Sequence, residues 1–187
     1  MTIIYGLGNN EPKYLTTKHN IGRLLVESIA KDYNLTFTRV KNLMIAKQDE
    51  LILAYSCDYM NTSGKFLGEY LNFIKPEDLS LVVVHDDTDQ VEGRKKMTLG
   101  GSSGGNNGIN DIHNHFKSIK VDKNNLIRIK LGIRPEMNKN KAMDFVLSPM
   151  TATDQELLQQ SKKIIIENIQ YLNHSKLSII QEKFNKK

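Results

Sequence analysis

The stretch Leu79-Ser80-Leu81-Val82-Val83-Val84, running directly into His85-Asp86-Asp87-Thr88-Asp89, decides the fold. An apolar run of strand length, rich in valine, has no polar face to turn to water, so it predicts a central strand over 79–84 covered on both sides. Such strands belong to α/β layers, and the rest of the chain must supply the covering helices. N-terminal to it, 2–7 reads as a second buried strand and 20–33 as a helix with Ile21, Leu24, Leu25, Ser28 and Ile29 on one face. Short β-prone stretches follow at 35–40, 43–47 and 51–56, joined by turns around Asn42 and Asp49. A helix over 63–73 then carries Phe66, Leu67, Tyr70 and Leu71 as its apolar stripe and stops before Pro76. Downstream, the glycine-rich 100–108 reads as a loop, Ile109, Ile112 and Phe116 as a short helix, and 126–133 alternates apolar and basic residues like a half-buried strand. Thr153-Asp154-Gln155-Glu156 fits a capping box that opens a helix to about 172, and 177–184 forms a final helix. Strands alternating with helices predict an α/β fold: a single domain over 1–187 with a mixed, twisted sheet flanked by helices.

Composition agrees. A chain of 187 residues is long enough for one well-buried core. Its 39% apolar and 25% charged content is that of a soluble protein, and no apolar run approaches a membrane span, which needs roughly 18 residues. The first residues lack the features of a signal peptide, and Cys57 is the only cysteine, so a cytoplasmic location is expected. A formal net charge of +5 favours an anionic partner if the basic residues gather on one face. Arg94-Lys95-Lys96 is one local cluster; Lys176, Lys183, Lys186 and Lys187 form another that equally suits a solvated terminal helix.

Polar groups follow the predicted strands at Asn9, at Met60-Asn61 and at Asp86, and they converge in the crevice beyond the strand ends if those strands are parallel. Asn9 shares the loop after the first strand with His19. An amide can hold or polarise, whereas an imidazole takes a proton near neutral pH, so His19 is the candidate general base. Asp86 is its natural orienting partner, and equally suits a strand-end turn. Asp86, Asp87 and Asp89 together also suit Mg²⁺, but no fuller motif accompanies them, and neither metal nor cofactor is expected. His113 and His115, two apart on a helix, have the wrong spacing for a ligand pair and read as surface residues. Gly64-Lys65 lacks the rest of a P-loop. The glycine-rich segment permits φ > 0 and an anion nest with the amides of Asn106 and Asn107, or it is simply a surface loop. Met60 and Phe66 either wall a pocket or, for Phe66 at helical spacing, belong to the core.

Together these segments resemble bacterial peptidyl-tRNA hydrolase. The likeness rests on Gly6-Leu7-Gly8-Asn9 with Tyr14 and His19-Asn20-x-Gly22, on Tyr59-Met60-Asn61-x-Ser63-Gly64, on His85-Asp86-x-x-Asp89, and on Leu99-Gly100-Gly101 through Gly104-Gly105-x-Asn107-Gly108. Lys139-Asn140-Lys141 and Phe145-Val146-Leu147 also look familial. The resemblance implies a monomeric cytoplasmic esterase of translation and ribosome rescue, which hydrolyses the bond between peptide and tRNA in N-blocked peptidyl-tRNA without metal or covalent intermediate. It implies His19 as the base that activates water and Asp86 as the group that keeps it basic. Asn9 then discriminates the blocked substrate, and Tyr14, Tyr59, Asn61 and Asn107 bind the substrate end. A catalytically silent RNA-binding relative and a small-molecule esterase are the competing readings. The chain departs from the family pattern at Asn10-Glu11, where Pro-Gly is usual, at Asn106, where His is usual, and at Thr98 and Lys130, where basic residues grip the tRNA 5′-phosphate. These departures predict an altered Asn9 turn, a looser network around Asn107 and a weaker phosphate grip, with Lys95, Lys96 or Arg134 as substitutes.

Overall fold

A computed structural model describes residues 1–119, 122, 125–136, 141–172 and 176–186, so Lys139, Asn140 and Lys187 lie outside the described residues. Among the described residues seven strands form one mixed sheet: β1 (Thr2–Gly6), β2 (Thr38–Val40), β3 (Leu43–Gln48), β4 (Leu51–Ser56), β5 (Ser80–Val91), β6 (Lys95–Leu99) and β7 (Ile127–Arg134). Their order is β2-β3-β4-β1-β5-β7-β6. β1 pairs in parallel with both β4 and β5, and β5 with β7, while the outer strands are antiparallel. The condition for convergence at the strand ends is thereby met. The chain leaves β1 towards β4 and later returns to its other side as β5, which places a topological switch point above β1.

The helices are α1 (Ile21–Asp32), α2 (Ser63–Ile74), α3 (Asn107–Asn114), α4 (Phe116–Ile119), α5 (Ala152–Glu167) and α6 (Leu177–Asn185). Side-chain alternation along β5 divides the core. Val82 and Val84 pack with Leu25 and Ile29 of α1, Ile165 of α5 and Phe184 of α6; Leu81 and Val83 pack on the opposite face with Leu67 of α2 and Ile109 and Ile112 of α3. Each such fully buried aliphatic side chain stabilises the fold by about 1.5–3 kcal/mol relative to exposure. The first turn of α1 lies almost on the sheet. A Cβ on Gly22 would stand 2.2 Å from the Val84 carbonyl oxygen, and one on Gly6 would stand 2.5 Å from the Gly22 oxygen. Only glycine permits that approach, which seats His19 and Asn20 over the end of β1 and the middle of β5.

Several elements differ from the sequence-based expectation. β5 does not stop at Val84 but continues through His85, Asp86 and Asp87 to Val91, so Asp86 lies within a strand rather than after it. The polar run stays in the ladder because β7 carries Arg128 and Lys130, which take up His85 and Asp87. The basic stretch at 95–99 is itself an edge strand, β6, with Met97 fully buried; the amide of Asn185 on α6 accepts from the Met97 N–H and donates to its carbonyl. The capping box belongs to Thr151 and Asp154: the Asp154 N–H donates to Thr151 Oγ1 at 3.1 Å and the Thr151 N–H donates to Asp154 Oδ2 at 2.9 Å. α5 ends at Glu167, and a separate 3₁₀ turn, Ile169–Tyr171, follows Asn168. The described terminal lysines, Lys176, Lys183 and Lys186, are exposed, as on a solvated helix, with Lys183 bonded to Asn168 and Lys186 paired with Glu182 on the surface of α6. Among the described residues no helix is long and apolar enough to cross a membrane.

Candidate active site

The loop that leaves β1 is held by Asn20. Its Oδ1 accepts the Asn9 N–H at 2.8 Å and its Nδ2 donates to the Asn9 carbonyl at 2.9 Å, so one side chain clamps both backbone groups of Asn9. Asn10, where the family pattern has proline, uses the N–H that proline lacks to donate to the Asp58 carbonyl at 3.2 Å. Arg23 adds a 2.8 Å bond to Asn10 Oδ1. The turn is thus built from hydrogen bonds. Asn9 Oδ1 accepts the Met60 N–H at 2.9 Å, which joins this loop to the one after β4 and fixes Nδ2 as the donor end of the Asn9 amide.

His19 occupies a 3₁₀ turn before α1, Lys18–Asn20. Its backbone N–H donates to the Val146 carbonyl at 2.9 Å, and that of Lys18 to the Ser148 carbonyl at 3.0 Å. The Lys18 ammonium lies 2.8 Å from Asp154 and 2.7 Å from Glu92, tying the turn to α5 and to the far end of β5. His19 Nδ1 is 2.8 Å from Asp86 Oδ2. An ionised carboxylate only accepts, so the Nδ1 proton is held there and Nε2 is the basic nitrogen. Burial pushes the His19 pKa down, the Asp86 charge and hydrogen bond push it up, and the net direction is upward. Asp86 is itself buried, and its Oδ1 accepts from Asn106 Nδ2 at 2.9 Å.

Behind Asp86, His85 is neutral. Burial, followed by the neighbouring Arg128 guanidinium, lowers its pKa to about 4. Arg128 donates to His85 Nε2 at 3.1–3.2 Å, so the imidazole proton is on Nδ1, which donates to the Asp86 carbonyl at 2.6 Å. The same guanidinium donates to the carbonyls of Gly100 and Ser102 and fastens the base of the glycine-rich loop. Gly100, Gly101, Gly104 and Gly105 all have positive φ, the conformation that glycine adopts without strain. The loop closes at Asn106, whose Oδ1 caps α3 by accepting the N–H groups of Gly108 and Ile109. Asn106 therefore does not loosen this network; it links α3 to Asp86.

These elements enclose a cleft of about 210 Å³ lined by His19, Asp86, Asn106, Asn107, Lys130 and Met143, among others. Met143 is 83% exposed and forms an apolar rim. Of the sequence-predicted residues, the cleft brings together His19, Asp86 and Asn107. Asn9 adjoins it through Asn20 and stands with the Tyr59-Met60-Asn61 segment; Tyr59 and Asn61 are exposed, and Tyr14 is half-buried. Met60 and Phe66 are core residues rather than pocket walls. Neither His113 nor His115 is freely exposed, because His113 stacks on Phe116 and His115 bonds to the Asp111 carbonyl. The three carboxylates of 86–89 do not share one point. Asp86 faces His19, Asp87 is 2.6 Å from the Lys130 ammonium, and Asp89 is exposed. Lys130 stands opposite Lys96 in the β6–β7 register, which places two cations on one face beside the cleft. Lys95 bonds to Gln160, and Arg134 donates to the Thr88 carbonyl. Sequence reasoning missed Lys18 and Arg128 as builders of this site, and placed Asn106 in the loop and Asn20 in the motif without their bonds to Asp86 and to Asn9. Asn before a glycine-containing helix start is a cap signal, and an arginine between Ile127 and Ile129 signals a buried partner.

The family model described as peptidyl-tRNA hydrolase matches residues 3–187. Peptidyl-tRNA hydrolase of Rickettsia canadensis is 32% identical over 98% of this chain and 99% of its own length. That of Moorella thermoacetica is 34% identical over 84% of this chain and 83% of its own. The crystal structure of peptidyl-tRNA hydrolase from Acinetobacter baumannii superposes with a TM-score of 0.83 at 25% identity, covering 99% of this chain and 94% of that one.

Proposed function

The chain belongs to the peptidyl-tRNA hydrolase family and is an ester hydrolase that acts on peptidyl-tRNA; from that premise we propose that His19 activates the attacking water and that Asp86 holds it ready to do so. The observation that carries the reading is the 2.8 Å contact between His19 Nδ1 and Asp86 Oδ2 inside a cleft wide enough for a substrate end. Nε2 takes a proton from water as the oxygen attacks the ester carbonyl, and the resulting imidazolium is stabilised by the buried carboxylate. Collapse of the tetrahedral intermediate breaks the bond to the ribose oxygen, which recovers the proton from Nε2. An ester leaving group is good enough that one base and a few amide donors suffice, so the route uses neither metal nor covalent enzyme intermediate.

Asn9 reads the blocked end of the peptide. Its Oδ1 is committed to Met60, so it presents an N–H donor. An N-acyl carbonyl accepts from that donor, whereas the ammonium of unblocked aminoacyl-tRNA only donates. Asn107 on the cleft wall, Tyr59 and Asn61 in the segment bonded to Asn9, and Tyr14 in the loop after β1 hold the substrate end. Lys96 and Lys130 are the cations placed to meet tRNA phosphates, and the enzyme acts as a cytoplasmic monomer.

The test compares wild type with His19→Ala on N-acetyl-aminoacyl-tRNA, with unblocked aminoacyl-tRNA in parallel. Wild type releases tRNA from the blocked substrate only, and the variant loses ~10²-fold or more in rate. Equal rates in the two proteins would remove His19 as the base, and RNA binding without turnover in either would favour the silent RNA-binding reading.

A further inference from the structure

We propose that Asn106 is a positioning residue for the hydrolytic reaction, holding the Asp86 carboxylate in the rotation that keeps its other oxygen on His19. The inference rests on the reading of His19 as base. The observation behind it is a single amide bonded at both ends. Asn106 Oδ1 accepts from Gly108 N at 3.1 Å and Ile109 N at 3.2 Å, and its Nδ2 donates to Asp86 Oδ1 at 2.9 Å. Because two backbone N–H groups must be met by an acceptor, the amide cannot be flipped, and its donor end is directed at Asp86.

Asp86 is thereby held at both oxygens, Oδ1 by Asn106 and Oδ2 by His19. Without Asn106 the carboxylate is free to turn about its Cβ–Cγ bond, and the imidazole loses the partner that fixes its tautomer. The anchor is α3, whose core-facing Ile109 and Ile112 are fully buried, so the orientation of Asp86 is referred to a packed helix and not to the glycine-rich loop that precedes it. The two functions of Asn106, capping and positioning, are separable by substitution. Asp and Ser cap a helix about as well as Asn, but neither offers an N–H donor to Asp86.

The other charged groups around the pair are Asp87 with Lys130 and His85 with Arg128 on β5 and β7, the exposed Asp89, Lys18 with Glu92 and Asp154 next to His19, and the exposed Lys141 and Asp144 on the segment that faces the turn. None of them is altered by substitution at Asn106.

The experiment measures kcat and KM on N-acetyl-aminoacyl-tRNA, the pH titration of the His19 imidazole by NMR, and the urea midpoint, for wild type, Asn106→Ser, Asn106→Asp and His19→Ala. The His19→Ala spectrum assigns the resonance among the 5 histidines. Asn106→Ser is expected to keep the wild-type midpoint to within the small cost of one lost hydrogen bond and a KM within about twofold, and to lose about tenfold or more in kcat, the scale of one hydrogen bond to a charged group; Asn106→Asp, with two carboxylates in contact, has the lower midpoint. In Asn106→Ser the Asp86 carboxylate loses its second anchor, so the His19 titration moves to lower pH; Asn106→Asp adds a carboxylate whose charge pushes the titration the other way. A pure cap predicts no change in kcat or in the titration for Asn106→Ser. That outcome overturns the inference, as does a loss of activity that merely follows the urea midpoint while the titration stays put. Wild-type activity in His19→Ala would instead overturn the underlying assignment of the base, and is read independently of either Asn106 variant.

Discussion

Replacing Lys18 with methionine tests whether the turn that carries His19 is held by a buried ion cluster. The Lys18 side chain is 3% exposed and bridges Asp154, at 0%, and Glu92, at 17%. Methionine fills a similar volume but leaves two carboxylates facing one another with no cation between them. Breaking a buried pair by removing one partner costs about 3–5 kcal/mol. The lower end applies, because Asp154 keeps its 2.9 Å bond from the Thr151 N–H and Glu92 retains some access to water. At about 3 kcal/mol, a chain of this size loses roughly 6–12 °C in Tm. Acid should narrow the difference. Burial pushes the Glu92 pKa up, but the Lys18 ammonium and the Thr151 hydroxyl more than offset it, so the net direction is down. A carboxyl with a depressed folded pKa contributes stability that is present above its unfolded value and lost as pH falls through the folded one. The gap between wild type and Lys18→Met in urea unfolding is therefore full at neutral pH and smaller at about pH 4. A gap below about 1 kcal/mol at neutral pH, the scale of a solvent-exposed pair, would refute the reasoning.

Asp86→Asn should lower kcat and move the acid limb of the kcat/KM profile to lower pH, because the carboxylate charge is what raises the His19 pKa; an unmoved limb would separate that limb from His19. Gly22→Ala places a methyl 2.2 Å from the Val84 oxygen, backbone against backbone, and should cost at least the 1–3 kcal/mol of an overpacked core, read as a lower urea midpoint. A wild-type midpoint would show that α1 lifts off the sheet without cost. Lys96→Met should flatten the dependence of log KM on log salt by about 0.9 per lost phosphate contact, and Lys130→Met by less, since Asp87 already balances that cation. The reverse order would place the phosphate on Lys130.

The layers were legible because burial imposes period. The run at 79–84 is apolar on both faces, the stripe of α1 and the alternation at 126–133 each show one apolar face, and the fold must cover them. The pairing of His19 with Asp86 was legible only as chemistry, one imidazole and one carboxylate after strands whose parallel order no single stretch reveals. What stayed hidden were polar residues whose partners are far along the chain. Lys18 and Asp154 lie on different elements, as do Asn10 and Asp58, so neither contact leaves a local trace. Asn10 is the clearest case. Without a proline the turn looked weakened, yet the restored N–H and the side-chain oxygen are both used, by Asp58 and Arg23.

The continuation of β5 past Val84 explains why the polar cluster works as a site. Successive strand residues point to opposite faces, so His85 and Asp87 share the face of Leu81 and Val83 while Asp86 shares that of Val82 and Val84. On the first face β7 answers with Arg128 against His85 and Lys130 against Asp87, so those two side chains are satisfied by the neighbouring strand. Asp86 is left facing the N-terminus of α1, where Gly22 brings the helix close enough for His19 to reach it. Had the strand ended at Val84, all three side chains would sit on a loop free to rearrange. Ladder hydrogen bonds at His85, Asp86 and Asp87 fix the alternation instead, and with it which carboxylate meets the imidazole and which meets the lysine. Exchanging Asp86 and Asp87 with their neighbours by a one-residue insertion in β5 should therefore abolish turnover while leaving both carboxylates in the chain. Activity surviving that insertion, measured on the folded variant with blocked aminoacyl-tRNA, would mean that the strand does not set the site.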